Sequence, residues 1–172
     1  MKRNQAAMSV AFPAILGAFS LVLVYIASVS PAGNWGIVAV AGLFPAAVVI
    51  SVNMRSGVLC WAGVSILSFI LIPGKFCALM YTVLFGLYPI VKAFLERLRK
   101  KPVEIILKLI FFNISFTMIY LIMKTAVLGS LPAILSVVWL LYLVGNVVFL
   151  IYDFGVTKLI SLYITRIDRV VR

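Results

Sequence analysis

The sequence contains no histidine, only four acidic residues and only two cysteines in 172 residues. Without histidine there is no imidazole to ligate haem or zinc, and none to act as a general base. The four carboxylates, Glu96, Glu104, Asp153 and Asp168, fall in separate segments and show no paired-acid spacing. That is too little for a hydrolase or a proton relay. Cys60 and Cys77 lie in apolar stretches, where a thiol packs as a small hydrophobe. On the topology below they sit toward opposite membrane faces, which argues against a disulfide between them. A phosphate loop, a Gly-x-Ser-x-Gly turn and an Asp-rich metal motif are also missing. These absences leave no cofactor or metal to expect, and they point away from an enzyme.

What the chain does have is apolar surface. Hydrophobic residues make up 65% of it and charged residues 11%, with a mean hydropathy of +1.24. Soluble domains run at roughly 45–50% apolar and about 25% charged. A chain of this size cannot enclose so much apolar surface in one core, so the sequence reads as an all-α integral membrane protein. A bilayer core asks for about 20 apolar residues per helix. Six stretches qualify, residues 7–29, 35–52, 58–72, 76–91, 103–127 and 131–151. The first is too long for a signal-peptide core. The third and fourth are short, and read either as two spans or as one broken hairpin. No linker or internal repeat divides the chain, so a single domain over 1–172 is expected.

The charges orient this layout. Lys and Arg total 15, for a net charge of +11. With the N-terminus in the cytosol, thirteen of the 15 fall on the inner side, and only Lys75 and Lys124 lie outside. This is the positive-inside bias. It predicts six helices with both termini cytosolic, in the inner (plasma) membrane as a multi-pass protein. Topology and anionic lipid then account for the basicity, and no nucleic-acid partner is expected. The inside loop 92–101 has helical spacing, an apolar edge of Phe94, Leu95 and Leu98, and a Glu96–Lys100 pair. It reads either as an interfacial helix on lipid headgroups or as a docking surface. The basic tail 153–172 places Lys158, Ser161, Thr165, Arg169 and Arg172 on one helical face, opposite Ile160, Tyr163, Ile164 and Ile167. It is an amphipathic helix, lying in the inner interface or continuing the sixth span.

Two sets of residues stand out within the spans. Ala7, Ala11, Ala14 and Ala18 share one face of the first helix. Small residues let another helix approach closely where lipid supplies no hydrophobic drive, and the face reads either as packing against helices of this chain or as a docking groove for another protein. The second helix has a similar patch at Ala39, Gly42, Ala46 and Ala47. The outer half collects Asn34, Trp35, Lys75, Tyr81, Tyr120, Lys124 and Trp139. These are either belt and snorkelling residues or the lining of an outward pocket. In such a pocket the lysines would hold an anionic group and the rings would stack on a flat ligand. Asn113 and Asn146 are amides inside spans, and each is expected to bond another helix.

The chain resembles the substrate-binding S components of energy-coupling factor transporters. The resemblance rests on Ala7-Met8-Ser9-Val10-Ala11 and Ala14-Ile15-Leu16-Gly17-Ala18 in the first helix. It rests also on Leu43-Phe44-Pro45 followed by Arg55-Ser56-Gly57, and on Phe85-Gly86-Leu87-Tyr88-Pro89 before a basic inside loop. It implies a subunit that binds a vitamin or similar micronutrient from outside. Such a subunit docks its alanine face on a transmembrane T component driven by two cytosolic ATPases, and topples in the membrane to deliver its solute. The alternatives are a membrane scaffold or assembly protein without a ligand, and a small oligomeric transporter or channel.

Overall fold

The computed structural model describes residues 2–30, 32–96, 101–126 and 138–171. Among these every regular element is a helix. They are α1 (Lys2–Val29), α2 (Asn34–Ala41), α3 (Leu43–Ser51), α4 (Met54–Leu71), α5 (Lys75–Met80), a π-helical turn (Tyr81–Phe85), α6 (Tyr88–Leu95), α7 (Lys101–Ala126) and α8 (Val138–Val171). Six segments are long and apolar enough to cross a membrane. These are Val10–Val29, Asn34–Ser51, Met54–Leu71, Lys75–Leu95, Lys101–Met123 and Tyr142–Thr165. The chain is therefore an all-α, multi-pass membrane protein. The loop 97–100, the segment 131–137 and the side chains of Ala7, Lys124 and Arg172 lie outside the described residues.

Alternating spans bring the start of α1, the α3–α4 turn, the end of α6, the start of α7 and the end of α8 to one end, here called the basic end. The α3–α4 turn is set by Asn53, whose side-chain oxygen accepts from the Ser56 amide at 2.8 Å. That is an N-cap, which satisfies one of the donors a helix start leaves free. The third and fourth spans are separate helices, longer than their apolar cores. The fourth reaches Leu95, so Lys92 lies one turn inside it rather than at the start of a loop. The basic tail is no separate element, because α8 runs unbroken through 34 residues. At 1.5 Å per residue that is about 51 Å, longer than the roughly 30 Å hydrocarbon core.

The fourth span is the axis of the bundle. Of its apolar window 61% is buried, against 11–33% for the other five. Tyr81, Tyr88 and Lys92 on it are sealed from solvent and lipid. Two prolines explain its irregular course and that of its neighbour. Pro45 has no amide hydrogen, so it cannot donate to the Ala41 carbonyl as an α-helix requires. The Ser20 hydroxyl of α1 donates to that carbonyl instead, at 2.9 Å. Ser20 thereby spends its one proton, so the Tyr81 hydroxyl, 3.1 Å away, donates to Ser20.

In the π turn the Gly86 amide reaches back to the Tyr81 carbonyl at 2.7 Å. This frees the Thr82 carbonyl, and the Trp61 indole of α4 donates to it at 3.1 Å. Pro89 likewise leaves the Phe85 carbonyl without its helical donor. Gly42, at the α2–α3 break, sits against that oxygen: a Cβ there would stand only 2.2 Å from it. Glycine is needed here for close backbone approach.

Candidate functional site

Two lysines buried among the spans define the site. Lys92 comes from α6 and Lys108 from α7, and both side chains are almost wholly enclosed. A lone ammonium in such a place would be very costly. The neighbouring helices supply its partners. Asp153 of α8 accepts from Lys92 and from the Tyr88 hydroxyl through one carboxylate oxygen. Lys108 lies 3.2 Å and 3.3 Å from the two oxygens of the same carboxylate. Glu104, one turn before Lys108 on α7, accepts from it. Glu96 bridges both ammoniums, at 3.1 Å from Lys92 and 3.6 Å from Lys108. The Lys92 ammonium also donates to the Thr157 hydroxyl at 2.7 Å.

Among the described residues three carboxylates face two ammoniums. Glu96, at the end of α6, is the most exposed of them. Among the described residues no three acidic or thiol side chains surround a common metal position, and the ammoniums stand between the acids. The arrangement works as a clasp that joins the basic ends of α6, α7 and α8.

Rings enclose the clasp on its membrane side. Tyr88 meets Phe149 edge-on at 4.9 Å, Phe149 stacks on Phe112 at 4.6 Å, and Tyr152 meets Phe85 edge-on at 5.3 Å. Deeper along the α7–α8 seam the two asparagines pair. Asn113 donates to the Asn146 oxygen at 2.9 Å, and Asn146 returns a bond at 3.2 Å. Each amide spends its other hydrogen on a carbonyl of its own helix, Leu109 or Tyr142. One turn farther on, the Thr117 and Tyr142 hydroxyls lie 2.7 Å apart. These groups answer one another's hydrogen-bonding needs, and they serve as interhelical glue.

The described residues singled out for an outward pocket come from α2, α5, the π turn, α7 and α8. Asn34 opens α2 half-buried. Trp35 is exposed and packs against Phe76 at 6.2 Å. Lys75, next to Phe76, donates to the Phe69 carbonyl at the end of α4. Tyr81 is fully buried on Ser20. Tyr120 is half-buried on α7, and Trp139 is exposed on α8. Trp35 and Lys75 thus share one edge of the bundle, and Tyr120 and Trp139 belong to the other hairpin.

The described alanines of α1 behave differently. Ala11, Ala14 and Ala18 are exposed, while Gly17 beside them faces inward, its Cβ position 3.4 Å from both Cys60 and Val64 of α4. Ala14 and Ala18 line a shallow groove of about 550 Å³ between α1 and α4, with Gly63 on its far side. A second groove, of about 460 Å³, lies between α1, α3 and α8. Neither groove draws on Asn34, Trp35, Lys75, Tyr81, Tyr120 or Trp139, the proposed pocket residues that are described. No family model matches the chain, and no curated protein or solved structure matches it either.

Proposed function

We propose that this chain is the substrate-binding membrane subunit of an ATP-driven importer of the energy-coupling factor type. On this reading it resides in the plasma membrane with both termini cytosolic. It binds a small, anionic micronutrient or vitamin from the outer side and catalyses no reaction itself. Its partners are a transmembrane T component and cytosolic ATPases. The observation that carries the reading is the outward alanine face of α1. The bundle uses Gly17 for its own α1–α4 contact and leaves Ala11, Ala14 and Ala18 uncovered. A smooth face of this kind favours close approach by a helix of another membrane protein.

Uptake and binding measured separately test this. Ala14→Leu places a branched side chain on the docking face, so it should abolish solute uptake and co-purification of the T component. Solute binding to the isolated subunit should stay intact. Unchanged uptake with Ala14→Leu would refute docking through this face.

A second reading, a non-catalytic membrane scaffold, has an observation of its own. Tyr81 is sealed against Ser20, Trp35 and Lys75 lie on α2 and α5, and Tyr120 and Trp139 lie on α7 and α8, with Trp35 and Trp139 exposed. That disposition favours a chain with a docking face and no ligand. The scaffold would show no saturable solute binding under any condition, whereas the importer subunit would.

A further inference from the structure

The polar ties between the α7–α8 hairpin and the rest of the bundle gather toward the basic end. Lys92 of α6 meets Asp153 and Thr157 of α8, Tyr88 meets the same carboxylate, and Glu96 meets Lys108 of α7. The Tyr163 and Ser51 hydroxyls, 2.8 Å apart, join α8 to α3. The Tyr152 hydroxyl donates to the Ala39 carbonyl over a longer 3.4 Å. Toward the far end the hairpin's polar groups turn on each other instead. The Asn113 and Asn146 amides pair across it, and so do the Thr117 and Tyr142 hydroxyls. Phe112 fits against Gly145, its ring 3.2 Å from the Cβ position there. Leu143, Val144, Val147 and Val148 of the same stretch are exposed, so this half of α8 leans on α7. α7 in turn meets the bundle through apolar groups. Phe112 and Ile119 are buried in one cluster with Tyr81, Leu84 and Tyr88 of the fourth span.

The two ends therefore resist parting very differently. Separating the clasp strands buried charges. An apolar seam inside a bilayer has no hydrophobic drive to stay shut, because lipid chains replace the contacts that parting removes. The π turn on which this seam closes also has an unmet polar demand. The Thr82 hydroxyl is buried without a partner, as are those of Ser65 and Ser68, one and two turns along α4 from the Trp61 that holds the turn. A buried hydroxyl left unpaired costs free energy, and π turns within α-helices recur at functional sites. We propose that the α7–α8 hairpin is a rigid gate, hinged on the clasp, whose far end swings away from the π turn. On the solute-binding reading this opening is the route to Tyr81 and the turn. The motion itself does not rest on that reading.

The test places nitroxide pairs on the full chain in lipid nanodiscs, with the buried Cys60 and Cys77 first replaced by alanine. Pulsed electron spin resonance reads the distance distributions, and every label replaces an exposed side chain. Ile70→Cys with Met118→Cys spans the far end from α4 to α7. It should show a second population, longer by about 5 Å, half a helix diameter. Ile106→Cys with Leu143→Cys runs along the hairpin, and Leu59→Cys with Leu162→Cys spans the basic end. Each of these should give one narrow distance. Ile119→Trp overfills the closed seam, so a folded variant should raise the longer far-end population severalfold and leave the other two pairs unchanged. The proposal is overturned if the far-end pair gives a single narrow distance, or if a folded Ile119→Trp protein leaves its populations as they were. It is equally overturned if the hairpin pair or the basic-end pair spreads as widely as the far-end pair.

Discussion

At the residue scale the decisive groups are the two buried lysines and the carboxylate between them. Removing one partner of a buried ion pair strands the other, at about 3–5 kcal/mol, whereas replacing both by apolar groups is often neutral. Lys92→Met should therefore lower stability by up to about that amount, because Asp153 and Glu96 lose one of the two ammoniums they share and three carboxylates are left to Lys108. Combining it with Asp153→Leu should recover much of the loss. Thermal unfolding of the three proteins in one lipid nanodisc measures this, and a harmless Lys92→Met would mean that the clasp contributes little. Half of the clasp was legible in the sequence. Lys108 stands inside an apolar run and Asp153 at the end of another, at similar depth on antiparallel neighbours. Lys92 was hidden because apolarity stops at Val91 while the helix does not. Its long stem carries the ammonium back into the bundle to Asp153 and Thr157.

At the scale of the element, the α7–α8 hairpin is fastened along its length by the amide pair and then by the clasp. Interhelical hydrogen bonds in membranes contribute about 0.6–2 kcal/mol. Asn113→Leu and Asn146→Leu should each destabilise by about that much, and the double variant by less than the sum of the two. A double-mutant cycle in the same nanodiscs reads the coupling, and strictly additive losses would mean that the amides do not pair. The six spans were legible from apolar length, whereas the second was expected as one unbroken stretch and divides at Gly42, three residues before Pro45. What fills the vacated carbonyls was not legible. Ser20 serves Ala41 and Trp61 serves Thr82 across contacts 21 residues apart, and local pattern does not encode such pairings. That Tyr81 and Trp139 belong to apolar helices was legible, but rotation about the helix axis was not. Tyr81 turns inward and Trp139 outward for that reason.

At the scale of the whole molecule, the packing is uneven. The fourth span is enclosed by the others, α1 packs closely on α4 through Gly17, and α8 projects beyond the bilayer core. Two faces are left over, the α1 alanine groove and the apolar groove between α1, α3 and α8. The first supports the proposed docking to another membrane protein. The shared face of the alanines was legible from their spacing, but not whether this chain or another protein covers it. The division of labour, Gly17 inward and the alanines outward, needed the fold. The central claim is that this is a solute-binding subunit that works in complex. Native mass spectrometry of the chain, extracted gently from its own membrane, tests that most directly. The account predicts a complex with a second membrane protein and ATPase subunits, carrying a bound small molecule. A bare chain or homo-oligomer, free of both partner and solute, would contradict it.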